Sequence, residues 1–196
     1  MKLSLYHPIK PALMNQKFGN PGGIYADLGI IGHNGIDYMA DEGQPIRASH
    51  DGIVTYAGED GAGGLTVVVR TEEQFDYKEG ESFFKTIYCH LQKGSFKVKA
   101  SDNVRTGDIL ALADNTGMST GTHLHFGFKP VYPGEEDWKW FNLEQENGYK
   151  GAIDPEPYFN GFYAEDAKKV GIIKALLNLY IKVYEILAGS NSISQR

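Results

Sequence analysis

The sequence holds one cysteine, Cys89, so no intrachain disulfide can form. Order must come from an apolar core or from a metal ion. No apolar run is long enough for a membrane span, because the most apolar stretch, near the C-terminus, is interrupted by Lys174, Asn178, Lys182 and Glu185. Residues 1–11 hold too short an apolar run for a secretory signal, so export by that route is not expected. Positive charge is scarce: 19 Lys and Arg stand against 25 Asp and Glu, a net charge of -6. A surface of that sign does not neutralise phosphates, which argues against nucleic-acid binding as the main activity. A Gly-x-Ser-x-Gly nucleophile elbow and a phosphate-cradling glycine motif are also missing.

Glycine is abundant, at 24 residues of 196, alongside 12 Tyr and 10 Phe. With Val and Ile well represented, this composition favours short strands joined by tight turns over a helical bundle. Strands are expected near 44–48, 52–56, 65–70, 83–90, 109–113 and 122–128, separated by turn formers such as Gly61-Ala62-Gly63-Gly64 and Asn115-Thr116-Gly117. The fold class expected is mostly β, an antiparallel sheet. Residues 1–32 read as a loop-rich lead-in with Phe18 and Tyr25 as packing residues, and the polar stretch 71–82 as an exposed excursion. Residues 130–158 are irregular and rich in aromatics, including Trp138 and Trp140, and read as a loop packing its own rings or as a groove wall. An amphipathic helix is expected over 164–187, with Val170, Ile173, Leu177, Tyr180, Ile181 and Tyr184 on a wide apolar face. That gives a β domain over 1–160, a helix within 161–189 and a polar tail over 190–196. The helix would dock on the β domain or mediate self-association.

Four of the six histidines sit in compact, turn-flanked motifs. In Thr122-His123-Leu124-His125-Phe126 strand alternation puts both imidazoles on one face and Leu124 and Phe126 on the other. In Gly32-His33-Asn34-Gly35-Ile36-Asp37 an extended backbone aligns His33 and Asp37, with Gly35 between them leaving room for an ion. In Tyr88-Cys89-His90-Leu91 alternation directs His90 with Tyr88 and turns Cys89 away. His7 and His50 read as surface or packing residues. A hydrolytic zinc site takes three His, Asp or Glu ligands and keeps one position open. His33, Asp37 and one of His123 and His125 supply that set; the two histidines left over are free to move protons. Spacing does not decide which of the pair binds metal.

These motifs, with Asp51-Gly52-Ile53-Val54 and Val104-Arg105-Thr106-Gly107-Asp108, in this order resemble the LytM/lysostaphin-type (M23) zinc metallopeptidases. The similarity spans roughly 15–128, and Ile153-Asp154-Pro155 to Phe159 looks like the family's closing segment. The resemblance implies a mostly antiparallel, duplicated-hybrid-motif-like β-sheet and one Zn2+ per chain. It implies His33, Asp37 and His125 as metal ligands, and His90 and His123 as catalytic. Tyr25 is a candidate hydrogen-bond donor to the transition state, like a tyrosine some members place ahead of the first motif. The implied function is a zinc-dependent endopeptidase that cuts peptide stems or cross-bridges of bacterial peptidoglycan, working at the cell wall after phage delivery or export by another route. Two departures stand out: Cys89 where a small residue is usual, and Gly127 where the family often has an acid. The alternatives are a non-catalytic regulator or structural component of the same fold, whose degenerate sites usually lack zinc ligands, and a phosphocarrier-type module, which has no need of Asp37.

Overall fold

The computed structural model describes residues 1–133 and 140–162. The helix expected over 164–187, the polar tail and Trp138 lie outside the described residues. In chain order the elements are β1 (Met14–Gln16), a short helix α1 (Gly23–Asp27), β2 (Ile36–Met39), β3 (Pro45–Arg47), β4 (Gly52–Glu59) and β5 (Leu65–Arg70). They continue with β6 (Phe75–Tyr77), β7 (Gly80–Cys89), β8 (Asn103–Val104), β9 (Ile109–Leu112), β10 (His123–Pro133) and β11 (Trp140–Asn142). Among these, β1-β2-β10-β7-β5-β4-β8 form one sheet, with β6 on β7 and β11 on β10; β3 and β9 make a second, two-stranded sheet. The named pairings are antiparallel, as the alternating patterns require of a sheet with one packed and one open face. No helix among the described residues is long and apolar enough to cross a membrane.

Alternation sorts the large sheet into two faces. Leu124, Phe126 and Phe128 of β10, Phe84, Thr86 and Tyr88 of β7, and Val67 and Val69 of β5 point to the packed side and are fully buried. Phe84 stacks on Phe128 with centroids 5.1 Å apart, a geometry that adds to the area both rings bury. Their neighbours of opposite parity, His125 and Lys129 on β10, Lys85 and Ile87 on β7, and Val68 and Arg70 on β5, are only partly covered. This half-open face carries the candidate site.

The structure differs from the sequence reading at three places. The lead-in supplies Leu3, Leu5 and Ile9 to the core, and its backbone is tied to the closing segment by Leu5 N–H donating to the Tyr158 carbonyl at 2.8 Å. Residues 71–82 are mostly exposed, as expected of an excursion, but they are ordered as a hairpin, Phe75 pairing with Ser82 and Tyr77 with Gly80, with Thr71 and Ser82 buried at its base. The aromatic region is partly strand: β10 runs on to Pro133, β11 pairs back onto it, and Trp140 meets Phe83 edge-on at 5.1 Å.

Candidate metal centre

The register of two strands builds the centre. β10 pairs with β2 so that His125 lies opposite Asp37 and His123 opposite Met39. His33, just ahead of β2, is brought in by reciprocal hydrogen bonds with the lead-in: Gly19 N–H to the His33 carbonyl at 2.8 Å, and His33 N–H to the Asn20 carbonyl at 3.0 Å. His33 Nε2 is then 3.0 Å from His125 Nδ1 and 3.1 Å from Asp37 Oδ1, and His125 Nδ1 is 2.9 Å from the same Oδ1. Three donor atoms from sites 4 and 88 residues apart therefore form one small triangle.

The fit to a metal ion can be judged from the protons. His33 Nδ1 lies 3.0 Å from the Lys17 carbonyl, which only accepts, so this nitrogen carries the proton and Nε2 of the neutral ring presents a lone pair. Nε2 faces Asp37 Oδ1 across 3.1 Å, a gap that a proton on the ring closes as a hydrogen bond and that a divalent cation can close in its place. A tetrahedral ion with bonds of about 2.0–2.1 Å sets its ligands roughly 3.3 Å apart, close to this triangle. Two imidazoles and a carboxylate are the donor types of a hydrolytic zinc site. Burial opposes ionisation of Asp37, but hydrogen bonds and charge from His125 and His33 outweigh it and hold the carboxyl well below the usual range. Burial lowers the pKa of His125, keeping the ring in the neutral form that binds metal.

Gly35 has a different role from the one expected. A β-carbon there would stand 2.5 Å from the Phe126 carbonyl oxygen and 2.7 Å from His125 Cε1. The missing side chain makes room for the imidazole of His125, not directly for the ion.

His123 shares the His125 face and places Nε2 3.8 Å from Asp37 Oδ1. Its Nδ1 donates to the Gly121 carbonyl at 2.8 Å, leaving Nε2 as the basic atom when the ring is neutral. His90 reaches the same place, but not by strand alternation. β7 ends at Cys89, and His90 takes a φ of 61°, uncommon for a residue other than glycine. Alternation stops there. Cys89 is the register partner of His125 and so shares its face. His90 turns to that side as well, with centroids 4.5 Å from His123 and 6.2 Å from His125. The expectation that Cys89 points away from His90 is corrected accordingly. Cys89 is buried, its thiol pKa pushed up to about 12 by desolvation, which makes it a poor nucleophile. Burial also lowers the pKa of His90 to about 4, with the neighbouring His123 and His125 adding to the effect.

Thr116 was not singled out from the sequence, where Asn115-Thr116-Gly117 registers only as a turn. Its carbonyl accepts from His90 Nδ1 at 2.7 Å, and its hydroxyl takes the Leu65 N–H at 3.0 Å and donates to the Leu91 carbonyl at 2.7 Å. This contact needs backbone against backbone: a β-carbon on Gly117 would lie 2.3 Å from the Gly64 nitrogen, and both glycines have positive φ. Tyr25 stands beside the centre on α1, its ring 5.7 Å from that of His33. Its pKa is raised by burial and by the charge of Asp37. The Gln16 amide donates to the Tyr25 oxygen, which leaves the phenolic proton for another acceptor.

A family model described as Peptidase family M23 matches residues 31–136. The chain belongs to peptidase family M23. The matched span holds His33, Asp37, His90, His123 and His125; Tyr25 lies outside it. Among curated relatives, the M23 chain is 39% identical over 94 residues to "DD-carboxypeptidase/endopeptidase Mpg" of Neisseria meningitidis serogroup B, covering 48% of this chain and 19% of that protein. It is 37% identical over 116 residues to "Glycyl-glycine endopeptidase ALE-1" of Staphylococcus capitis, covering 58% of this chain and 29% of that protein. The chain therefore spans less than a third of these relatives' length. The catalytic domain of the antimicrobial peptidase lysostaphin from Staphylococcus simulans shares the fold, with a TM-score of 0.56 and 24% identity over 75% of this chain and 91% of that one.

Proposed function

We propose that this M23 chain is a zinc-dependent endopeptidase that cleaves peptide stems or cross-bridges of bacterial peptidoglycan, working at the cell wall. The observation that carries the reading is the triangle of His33 Nε2, Asp37 Oδ1 and His125 Nδ1, within 3.1 Å of one another and beside two further imidazoles. The names of the relatives, one a DD-carboxypeptidase/endopeptidase and one a glycyl-glycine endopeptidase, support the substrate class. A non-catalytic role would leave unexplained why the ligand triangle and both further histidines are present together.

His33, Asp37 and His125 would hold the ion. Zinc bound there supplies a Lewis acid for the scissile carbonyl and lowers the pKa of a water to about 7. The protein's own part is proton handling and orientation. His123 and His90, each with Nδ1 held by a backbone carbonyl, keep Nε2 as the basic atom, 3.8 Å from Asp37 Oδ1 in His123 and on a ring packed beside it in His90. One takes the proton of the attacking water, and the same pair delivers a proton to the departing amine. Low basicity at His90, pKa about 4, means that a proton it receives is readily passed on to the amine. Tyr25, with its hydroxyl proton free, is placed to donate to the developing oxyanion.

The test is mass spectrometry of fragments released from purified sacculi by the zinc-loaded protein, with an EDTA-treated control. Zinc-dependent fragments with new amino termini are expected and would identify the bond. No release from sacculi of several cross-bridge chemistries, by protein shown to carry zinc, would overturn the reading.

A further inference from the structure

The open face of the sheet continues well past the metal centre. Two residues beyond His125 the floor is Gly127 beside Ile87, its register partner, with no polar side chain. Two residues farther, three cations form a rank across adjacent strands: Arg70 of β5 pairs with Lys85 of β7, which pairs with Lys129 of β10. Like charges directly opposite one another on a sheet are destabilising, and this rank sits in a chain with net charge -6. No carboxylate among the described residues forms an ion pair with any of the three; Asp60 reaches the two lysines, and Glu72 reaches Arg70, only through longer-range charge. Lys129 Nζ donates to the Lys150 carbonyl at 2.6 Å. The Arg70 guanidinium lies over Trp140 at 3.9 Å, donates one Nη1 hydrogen bond to the Thr71 carbonyl, and has its Nε buried without a partner.

We infer that the Arg70-Lys85-Lys129 rank is an anion subsite that takes a carboxylate of the substrate peptide, three to four residues from the bond that is cut. The inference rests on the peptidase reading of the same face. Four residues of strand separate Lys129 from His125, about 13 Å at roughly 3.3 Å per residue; an extended peptide covers that span in about four residues. The floor between is apolar and free of bulk at Gly127, so a chain can lie along it, and Trp140 stacked on Arg70 marks its far end. Burial lowers the pKa of both lysines, to about 8 for Lys129 where Lys85 and Lys150 add repulsion. A bound anion would offset both the repulsion and the cost of desolvation. The rank would thus select peptides by charge at a distance from the chemistry, a specificity element of this chain separate from the metal ligands.

The test keeps the two readings apart by using the full chain freed of metal with EDTA, so that nothing is cut. It is titrated calorimetrically, at low ionic strength, with two stem peptides that differ only in a terminal carboxylate or carboxamide. The carboxylate peptide is expected to bind about tenfold tighter. The double variant Lys85→Gln/Lys129→Gln is expected to lose that preference, and Lys85→Arg/Lys129→Arg to keep it. Equal binding of the two peptides by the unmodified chain would overturn the subsite, as would an undiminished preference in the folded glutamine variant. Failure to cleave sacculi would overturn only the peptidase reading, because the binding preference is measured without metal.

Discussion

Gly35 and His125 are in such close contact that a β-carbon on residue 35 would lie 2.8 Å from His125 Nε2. The neighbouring Phe126 carbonyl oxygen, 2.5 Å from the same point, is backbone and has little freedom to yield. Gly35→Ala is therefore expected to displace the ring or the strand and to weaken zinc binding about tenfold to a hundredfold, the range found when groups supporting metal ligands are altered. A competition titration against a chromogenic chelator measures this. Unchanged affinity would mean the centre tolerates a shift that its close packing argues against.

The ligands and the proton carriers separate by what their loss removes. His33→Ala and Asp37→Ala are expected to lose zinc and activity together. His90→Ala and His123→Ala are expected to keep zinc while turnover falls about a hundredfold to ten-thousandfold, the usual contribution of acid–base groups. Metal content by atomic spectroscopy beside initial rates on a soluble peptide decides the matter. A metal-free variant with full activity would remove the ligand assignment, and undiminished rates would remove the two histidines from the mechanism.

How much of this could be read from the sequence depends on which physical rule applied locally. Strand β5 matches the expected Leu65–Arg70 span, since Val-rich alternation between glycine turns leaves little choice. Alternation also placed His123 and His125 opposite Leu124 and Phe126. The same rule failed one strand away, because at His90 the backbone leaves the strand with a positive φ, and periodicity carries no information once the strand has ended. The Lys17 and Thr116 carbonyls that fix the tautomers of His33 and His90 were not legible, because a backbone carbonyl has no residue type. Leu3, Leu5 and Ile9 were hidden by the turn formers that follow them; their burial comes from contacts with distant segments. The cationic rank needs the register of three strands, and a one-residue slip in any of them would dissolve it.

Thr116 offers a test of how the loop carrying the His90 acceptor is held. In Thr116→Val the shape is nearly conserved, but the Leu65 N–H and the Leu91 carbonyl lose their partner. Leaving such groups unpaired costs on the order of 2 kcal/mol, visible as a lower urea midpoint. With the loop loosened, the His90 ring loses its fixed tautomer, so kcat is expected to fall while zinc content and KM hold. A variant as stable and as active as the unmodified chain would show that the Gly64–Gly117 backbone contact alone holds the loop.

His50 contributes to the acid sensitivity of the fold and lies away from the metal ligands. It is 3% exposed; Nδ1 donates to the Asp51 carbonyl at 2.8 Å, and Nε2 is 3.0 Å from the Thr86 hydroxyl. That hydroxyl is in turn 2.9 Å from the Tyr88 oxygen, to which the Ser49 N–H donates at 2.9 Å. Burial outweighs the favourable carbonyl and the charge of Asp51 and pushes the His50 pKa from 6.5 down to about 4. Between these values the unfolded chain binds a proton at His50 and the folded chain does not, so stability falls as pH falls through that window. The stabilisation is complete above about pH 6.5 and is lost by about pH 4, amounting to on the order of 3 kcal/mol. His50→Gln removes the titrating group while keeping an amide able to bond at both ends. Urea unfolding from pH 7 to 4 is expected to show a shallower loss of stability in this variant than in the unmodified chain. Parallel curves would assign the acid sensitivity to other groups and leave His50 a packing residue only.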